Sequence, residues 1–424
     1  MKPSNTKLIC TALKKALYGG SAAMAEVKIS SDDGKFETTL GGRLQVDAAW
    51  YSQDNVTLDG QNGTEFRRAR LFVKGTMYDV WGYKAQYDFA GNETTMKDAY
   101  ISYSGYPAKL KIGQFKQPFG LEELTSSKYI TFMERSLPTG AFATSRRIGL
   151  GGNYASDNWT MAASVYGREE ADDTDGDQGY GVGARLTWAP WNEKTQLLHL
   201  GIAGAWEDPN DNDMRFRSRP ESHKTNTRFV DTGSIPDPDT FTRYGLEAAT
   251  VLGPFSLQGE YMGVNTSSDS VSDADFSGWY AYGSWFLTGE SRKYKKGAFS
   301  RVTPKSTVGK GGMGAWEFAV RYSALDLQDG DTSGGREENI TVGVNWYATK
   351  YVRFMANYVH ADAERLRGGL IMASPSTTTV PSWLTQVVFM STLFFSVMMS
   401  MTSTVAVLVS PMITGARNLR LWDM

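Results

Sequence analysis

Asn339-Ile-Thr-Val-Gly-Val-Asn-Trp346 is the stretch that decides the fold. Ile340, Val342, Val344 and Trp346 fall on one side of an extended chain; Asn339, Thr341, Gly343 and Asn345 fall on the other. A period of two marks a β-strand, because successive side chains leave a sheet by opposite faces. The same texture recurs between Gly34 and Gly369, in short alternating runs separated by polar, Gly-rich turns. A soluble sandwich alternates as well, but it buries its apolar face against a second sheet. Here the polar faces are rich in Gly, Asn, Arg and Lys, and the apolar faces in Tyr and Trp. That is the pattern of a barrel with lipid outside and water inside.

Composition agrees. A chain of 424 residues is long enough for one large barrel, or for two or three ordinary domains. A mean hydropathy of -0.37 excludes a helical membrane protein. Aromatics at 12% and 44 glycines suit many strands that end at membrane interfaces. A formal net charge of -2 argues against nucleic acid as a partner. The only cysteine is Cys10, in the leader, so a processed chain has no disulfide and no thiolate metal site. Leu8-Ile9 ahead of it lacks the small residues of a lipoprotein signal.

Three segments are expected. Residues 1–25 read as a secretory signal, with Lys2 and Lys7 at its start and Ala23-Met24-Ala25 as the cleavage pattern, although Lys14 and Lys15 interrupt its apolar centre. Residues 26–369 read as the barrel. Residues 370–424 change texture: Met, Ser and Thr dominate, and no charge appears until Arg417. Within this tail, 383–409 is apolar and long enough to imitate a transmembrane helix, yet barrels and helical spans are separate solutions to hydrogen bonding in lipid. A frameshifted or foreign reading frame after about Gly369 is the leading reading; a tail anchor and a disordered tail are the alternatives.

Fifteen runs can be placed as strands from Phe36 onward. Non-strand insertions occupy 116–146, 207–240 and 289–313, and tight turns such as Gly253-Pro254 alternate with longer loops. The fold class is therefore all-β, a transmembrane antiparallel barrel of about 16 strands. Bacterial single-chain barrels use an even number, and the missing last strand falls where the aberrant tail begins. Charges sit on the polar faces: Glu317 and Arg321, Lys84 and Asp88 with the neutral Gln86 between them, and Lys109 and Lys111. On the lipid face near the midplane each would cost about 2–4 kcal/mol, so these faces turn inward.

Three basic clusters stand out. Arg67 and Arg68 open the second strand. Arg215, Arg217 and Arg219, spaced by two and followed by Arg228, share one side if that stretch is extended. The third insertion carries Arg292, Lys293, Lys295, Lys296, Arg301, Lys305 and Lys310 with no acid between Glu290 and Glu317. A guanidinium fork matches phosphate oxygens and never loses its charge. A file of such groups draws anions inward, provided no single site holds too tightly. The plainer reading is an eyelet arginine set opposite acids, or surface cations on lipopolysaccharide phosphates.

Enzyme signals are weak. His199, His223 and His360 form no metal-ligand pair, and neither a Gly-x-Ser-x-Gly elbow nor a phosphate-binding P-loop occurs. His199, between Leu198 and Leu200, reads as a lumen-facing strand residue. Asp172-Asp-Thr-Asp-Gly-Asp177 resembles half a calcium loop but lacks the Glu at the twelfth position, so a solvated exterior loop is expected.

Taken in order, several motifs resemble the phosphate-selective porins O and P of the Gram-negative outer membrane. They are Leu40-Gly-Gly-Arg-Leu-Gln45, Phe66-Arg-Arg-Ala69, Thr125-Ser-Ser-Lys128 with Glu134-Arg135, Asp173-Thr-Asp-Gly-Asp177, Val251-Leu-Gly-Pro-Phe-Ser256 leading into Gln258-Gly-Glu-Tyr261, Leu287-Thr-Gly-Glu290, Gly314-Ala-Trp-Glu317 and Val342-Gly-Val-Asn-Trp-Tyr-Ala348. The resemblance implies a 16-stranded trimeric barrel with loops folded into the pore and an arginine ladder descending to a lysine-lined constriction. It implies ladder roles for Arg43, Arg67 and Arg68, and for Arg215, Arg217 and Arg219. Lys128 and Arg135 fall in the third-loop motif, Lys295 and Lys310 look like constriction or vestibule lysines, and Asp98 resembles the acidic partner in the anion site. The chain departs at Gly297-Ala-Phe-Ser-Arg301, which lacks a lysine between Ala298 and Phe299, and at Arg219-Pro-Glu-Ser-His223, where the ladder is less regular.

The expectation is an outer-membrane porin: a passive, anion-selective channel for phosphate or polyphosphate, with no enzyme activity, cofactor or metal, working as a homotrimer among lipopolysaccharide and outer-membrane lipid. A general diffusion porin with little phosphate preference is the alternative, and a barrel enzyme or adhesin is the rival of a different class.

Overall fold

The computed structural model describes residues 26–52, 61–167, 178–210 and 214–364, and the backbone alone of 377–380 and 387–389. The signal segment, the 172–177 acidic run and most of the tail lie outside the described residues. Fifteen long strands follow one another. They are β1 Phe36–Ala49, β2 Gly63–Met77, β3 Trp81–Asp88, β4 Thr95–Tyr103, β5 Lys109–Lys116, β6 Arg146–Ala155, β7 Trp159–Gly167 and β8 Tyr180–Asn192. Next come β9 Gln196–Asp208, β10 Pro238–Leu252, β11 Phe255–Ser268, β12 Ala274–Phe286, β13 Ala315–Asp329, β14 Thr332–Tyr347 and β15 Val352–Glu364. Each pairs antiparallel with the next, from β1–β2 to β14–β15. These are the fifteen runs read from the sequence.

The sixteenth place, between β15 and β1, is taken by short pieces. Val387–Phe389 pairs with both neighbours, Phe389 facing Val352 and Leu44. Thr377–Val380 pairs further along β15, and Glu26–Ser30 lies beside the first half of β1. Among the described residues no helix is long and apolar enough to cross a membrane.

The barrel is inverted relative to a soluble protein. On β14, Asn339 is 0% exposed and Ile340 47%. On β13, Arg321 is 1% exposed and Val320 41%. The exposed face carries aromatic pairs near both rims. Toward the tight turns stand Trp81 and Tyr103 (4.8 Å between ring centroids), Phe255 stacked on Trp285 (5.6 Å) and Trp316 on Trp346 (5.6 Å). Toward the long loops stand Tyr244 with Tyr261 (6.2 Å) and Trp279 with Tyr322 (5.1 Å). Trp279 and Trp285 lie six residues apart on one strand, roughly 20 Å along it. Rings with a polar edge favour such interfacial heights, with aliphatic residues between them.

Three insertions occupy the interior. Segments 117–145 and 209–237 enter from the long-loop rim. Segment 287–314 enters from the opposite rim, where β6–β7, β8–β9 and β10–β11 make tight turns. The lumen is not uniformly wet. Phe119, Leu137 and Phe142 of the first insertion and Met214, Phe216, Val230 and Ile235 of the second form an apolar core with Phe241, Val264, Phe276 and Leu325 of β10–β13.

Polar wall residues then hold the first insertion. Glu260 accepts hydrogen bonds from the Leu121 and Glu122 amides, each at 2.7 Å. Ser323 accepts from Leu137 N–H (3.0 Å) and Asn357 from Met133 N–H (3.1 Å); Asn345 donates to Thr131 O (2.9 Å) and Arg353 to Ile130 O (2.8 Å). Inward-facing Arg321 therefore meets the folded-in first insertion instead of open water, and buried Glu317 accepts from Asn345 of the neighbouring strand (2.9 Å). The β10–β15 side is filled, and free volume is displaced toward β1–β6.

Candidate functional site

Two of the remaining cavities adjoin each other. The deeper, of about 520 Å³, lies between the β1–β6 wall and the first insertion. Twelve lysines and arginines line it against two carboxylates, Asp98 and Glu123. The second, of about 380 Å³, is a vestibule under the long loops, lined by six arginines and three glutamates. Arg67, Glu123, Arg135 and Ser145 line both and form the neck between them.

Strand geometry places the cations. Arg43 faces inward from β1, and Arg68, Arg70 and Lys74 follow at a period of two along β2. Arg67 is adjacent to Arg68, and two consecutive strand residues ordinarily point to opposite faces. A register shift resolves this: Gln45 faces Arg68 and Val46 faces Phe66, so Arg67 is the extra residue of a bulge. Lys84, Lys97, Asp98, Lys111, Lys116 and Arg146 come from β3 to β6.

Most of these cations already have a counter-charge. Arg70 Nε lies 2.6 Å from Asp88, and Asp98 holds Lys84 Nζ (2.5 Å) and Arg146 Nε (2.8 Å) together. Glu123 takes Lys116 Nζ (2.8 Å) and Arg135 Nε (3.0 Å), and Arg135 also donates to the carbonyls of Glu122, Glu123 and Thr125. Burial alone would raise the Glu123 carboxyl, but Arg135 and Lys116 outweigh it and hold it down to about 2. The exceptions include Arg43, Lys128 and Lys111, whose Nζ rests on the Tyr100 and Phe115 rings at 5.6 and 5.4 Å. Among the described residues Arg43 makes no ion pair, and its buried Nε has no acceptor. Lys128 Nζ makes no ion pair either and rests 5.3 Å from the Tyr129 ring. Burial, then Arg43 and Arg301, push the Lys128 ammonium down to about 7.

In the vestibule the spacing-by-two reading of Arg215, Arg217 and Arg219 is realised. All three line the cavity with Arg228, while Phe216 between the first two turns into the loop core. Arg217–Ser218 pairs with Val230–Asp231, which keeps the segment extended. Arg215 is clamped by Asp231 at 2.7 and 2.5 Å.

The structure thus brings together Arg43, Arg67, Arg68, Asp98, Lys128, Arg135, Arg215, Arg217 and Arg219. It leaves Lys295 and Lys310 exposed on the turn-rim insertion, away from both cavities. Lys296 instead borders a third cavity, of about 240 Å³, with Lys111, Lys116 and Arg185. The reason is a hairpin: Lys293–Lys295 pairs with Ala298–Ser300 across Lys296-Gly297, both at positive φ (51° and 79°). Such a two-residue turn reorients the side chains that bare alternation would assign. Arg185 donates to Gly297 O (2.9 Å), and His199, inward-facing as expected, is joined to Tyr294 OH (2.7 Å) and Glu247 (3.1 Å). Sequence reading missed Arg70, Lys74, Lys97, Lys116 and Arg146 as site residues; period two counted from Arg68 finds the first two. Among the described residues, no group of three His, Cys, Asp or Glu is placed to hold a metal ion.

A family model described as phosphate-selective porin O and P matches residues 38–367. Porin O of Pseudomonas aeruginosa is 31% identical, over 80% of this chain and 86% of its own. The anion-selective porin from Comamonas acidovorans superposes with a TM-score of 0.53 at 14% identity, covering 83% of this chain and 98% of its own. The trimer form of Vibrio cholerae OmpT gives 0.53 at 11% identity, over 84% of this chain and 99% of its own. At such identities the two solved structures establish the barrel fold alone.

Proposed function

This chain belongs to the phosphate-selective porin O and P family, a family of Gram-negative outer-membrane channels and not of enzymes, and from that membership we propose that its lumen is an anion path for phosphate or polyphosphate. One observation carries the proposal: the deep cavity sets twelve cations against two carboxylates, with Arg43 and Lys128 making no ion pair among the described residues.

The path runs from the vestibule arginines through the neck at Arg67 and Arg135 to Arg43 and Lys128. An anion exchanges part of its hydration for guanidinium and ammonium N–H donors at each step. The single-sign field of a low-dielectric bore concentrates anions at its mouth. Counter-carboxylates beside the paired cations keep those stops weak enough to leave, which conduction requires. No bond is made or broken.

A second reading, a general diffusion porin with modest charge preference, is favoured by the pairing of Arg70, Lys84, Arg146, Lys116 and Arg135 with acids. The trimeric OmpT relative supports assembly as a homotrimer, and the exposed aromatic rims suit contact with outer-membrane lipid and lipopolysaccharide. The test is phosphate block of chloride current through purified protein in planar bilayers. Block that saturates with phosphate is expected; chloride current indifferent to phosphate favours the general porin.

A further inference from the structure

We propose that Glu134 is a built-in competitor for the permeating anion, stationed at the neck. The inference rests on the anion-path reading above and adds a residue that sets how long an anion dwells there. Arg67 and Arg135 line both cavities, so an anion moving from vestibule to deep cavity passes them. Glu134 lines the vestibule beside them. Its carboxylate accepts from Arg67 Nε at 2.5 Å and Nη2 at 3.0 Å, and lies 3.6 Å from Arg68 Nη2. That two-pronged contact is the geometry a phosphate would use on the same fork.

The carboxylate is fixed in place. Arg321 Nη1 donates to Glu134 O at 3.1 Å, tying the loop backbone at this residue to β13. Both partners are largely buried, with side chains 15% and 14% exposed, so water screens the contact little. Without Glu134, Arg67 at the neck would lose its two-pronged partner and stand with Arg135, and with Arg68 just inside the deep cavity, where Glu123 is the one carboxylate among the residues lining both cavities. Unpaired guanidiniums where the two cavities join make a trap, and a trap stops flux. Glu134 occupies the Arg67 fork until an anion displaces it, and reclaims it when the anion leaves.

The experiment compares wild type, Glu134→Gln and Glu134→Asp for the inorganic-phosphate concentration that half-blocks single-channel chloride current, and for the current carried at saturating phosphate. Glu134→Gln should lower the half-block concentration about tenfold, the scale of one charge-assisted hydrogen bond released to the anion, and lower the saturated current. Glu134→Asp, which keeps the charge but retracts it, should fall between; it carries the same sign if the Gln variant does not insert. In an Arg67→Gln background, adding Glu134→Gln should bring no further tightening. An unchanged or raised half-block concentration in Glu134→Gln overturns the inference, as does tightening that persists without Arg67, which would assign the effect to a displaced loop. Absence of phosphate block in the wild type would instead overturn the anion reading, and this inference with it.

Discussion

Arg321 on β13 bridges the two insertions that enter from the long-loop rim: its Nη2 lies 2.5 Å from Glu221, in the second, and its Nη1 3.3 Å from Glu122, in the first. All three side chains are almost fully buried. Glu122 also accepts from Ser136 N–H (3.0 Å), Ser136 OH (2.8 Å) and Thr139 OH (3.0 Å), and Glu221 accepts from Thr341 OH (2.6 Å). Removing one partner of a buried pair leaves the other charge uncompensated, which costs about 3–5 kcal/mol. Arg321→Met should therefore lower the urea midpoint of the folded barrel in detergent, open segments 117–145 and 209–237 to protease, and raise single-channel conductance as the insertions loosen. Wild-type protease resistance in the variant would contradict this role.

Arg43→Gln and Lys128→Gln should each weaken phosphate block of chloride current about tenfold or more, because each removes a charged donor that makes no ion pair among the described residues. Lys295→Gln and Lys310→Gln, exposed and away from both cavities, should leave the block near wild type. Half-block concentrations for the four variants check both halves of the prediction.

The Lys128 ammonium, pushed down to about 7 by burial and by Arg43 and Arg301, is charged below that pH and neutral above it. Anion preference, read as the reversal potential in a salt gradient, should fall as pH rises from 6 to 8. Lys128→Gln should be flat and low across that range. Lys128→Arg, whose guanidinium stays charged, should be flat and high.

Val320 and Val342 face each other in register on the exposed side of β13 and β14, between the aromatic rims. An arginine at either position should destabilise the inserted barrel by about 2–4 kcal/mol. Folding titrations into phospholipid vesicles measure it. A neutral result would place this face against protein or water instead of lipid.

Much of this was legible in the sequence. Alternation around Asn339–Trp346 and its fourteen counterparts located every long strand, because the two faces of a barrel wall meet solvents of opposite polarity. The same logic extended from Arg68 reaches Arg70 and Lys74. What stayed hidden depends on the insertions folding inward. Glu122 and Arg321 lie 199 residues apart, and no local pattern announces their contact. Glu134 reads as a neighbour of Arg135 until the loop sets it on Arg67. The bulge that admits Arg67 beside Arg68 comes from a register shift between strands, and the turn at Lys296-Gly297 sets Lys296 beside the third cavity and leaves Lys295 exposed.

The central claim is that anions, not cations, find the favourable path through this lumen. Its most direct measurement is the zero-current potential of the purified protein in a planar bilayer under a potassium chloride gradient at pH 6. A potential close to the chloride equilibrium value is predicted; a potential close to that of potassium would contradict the account.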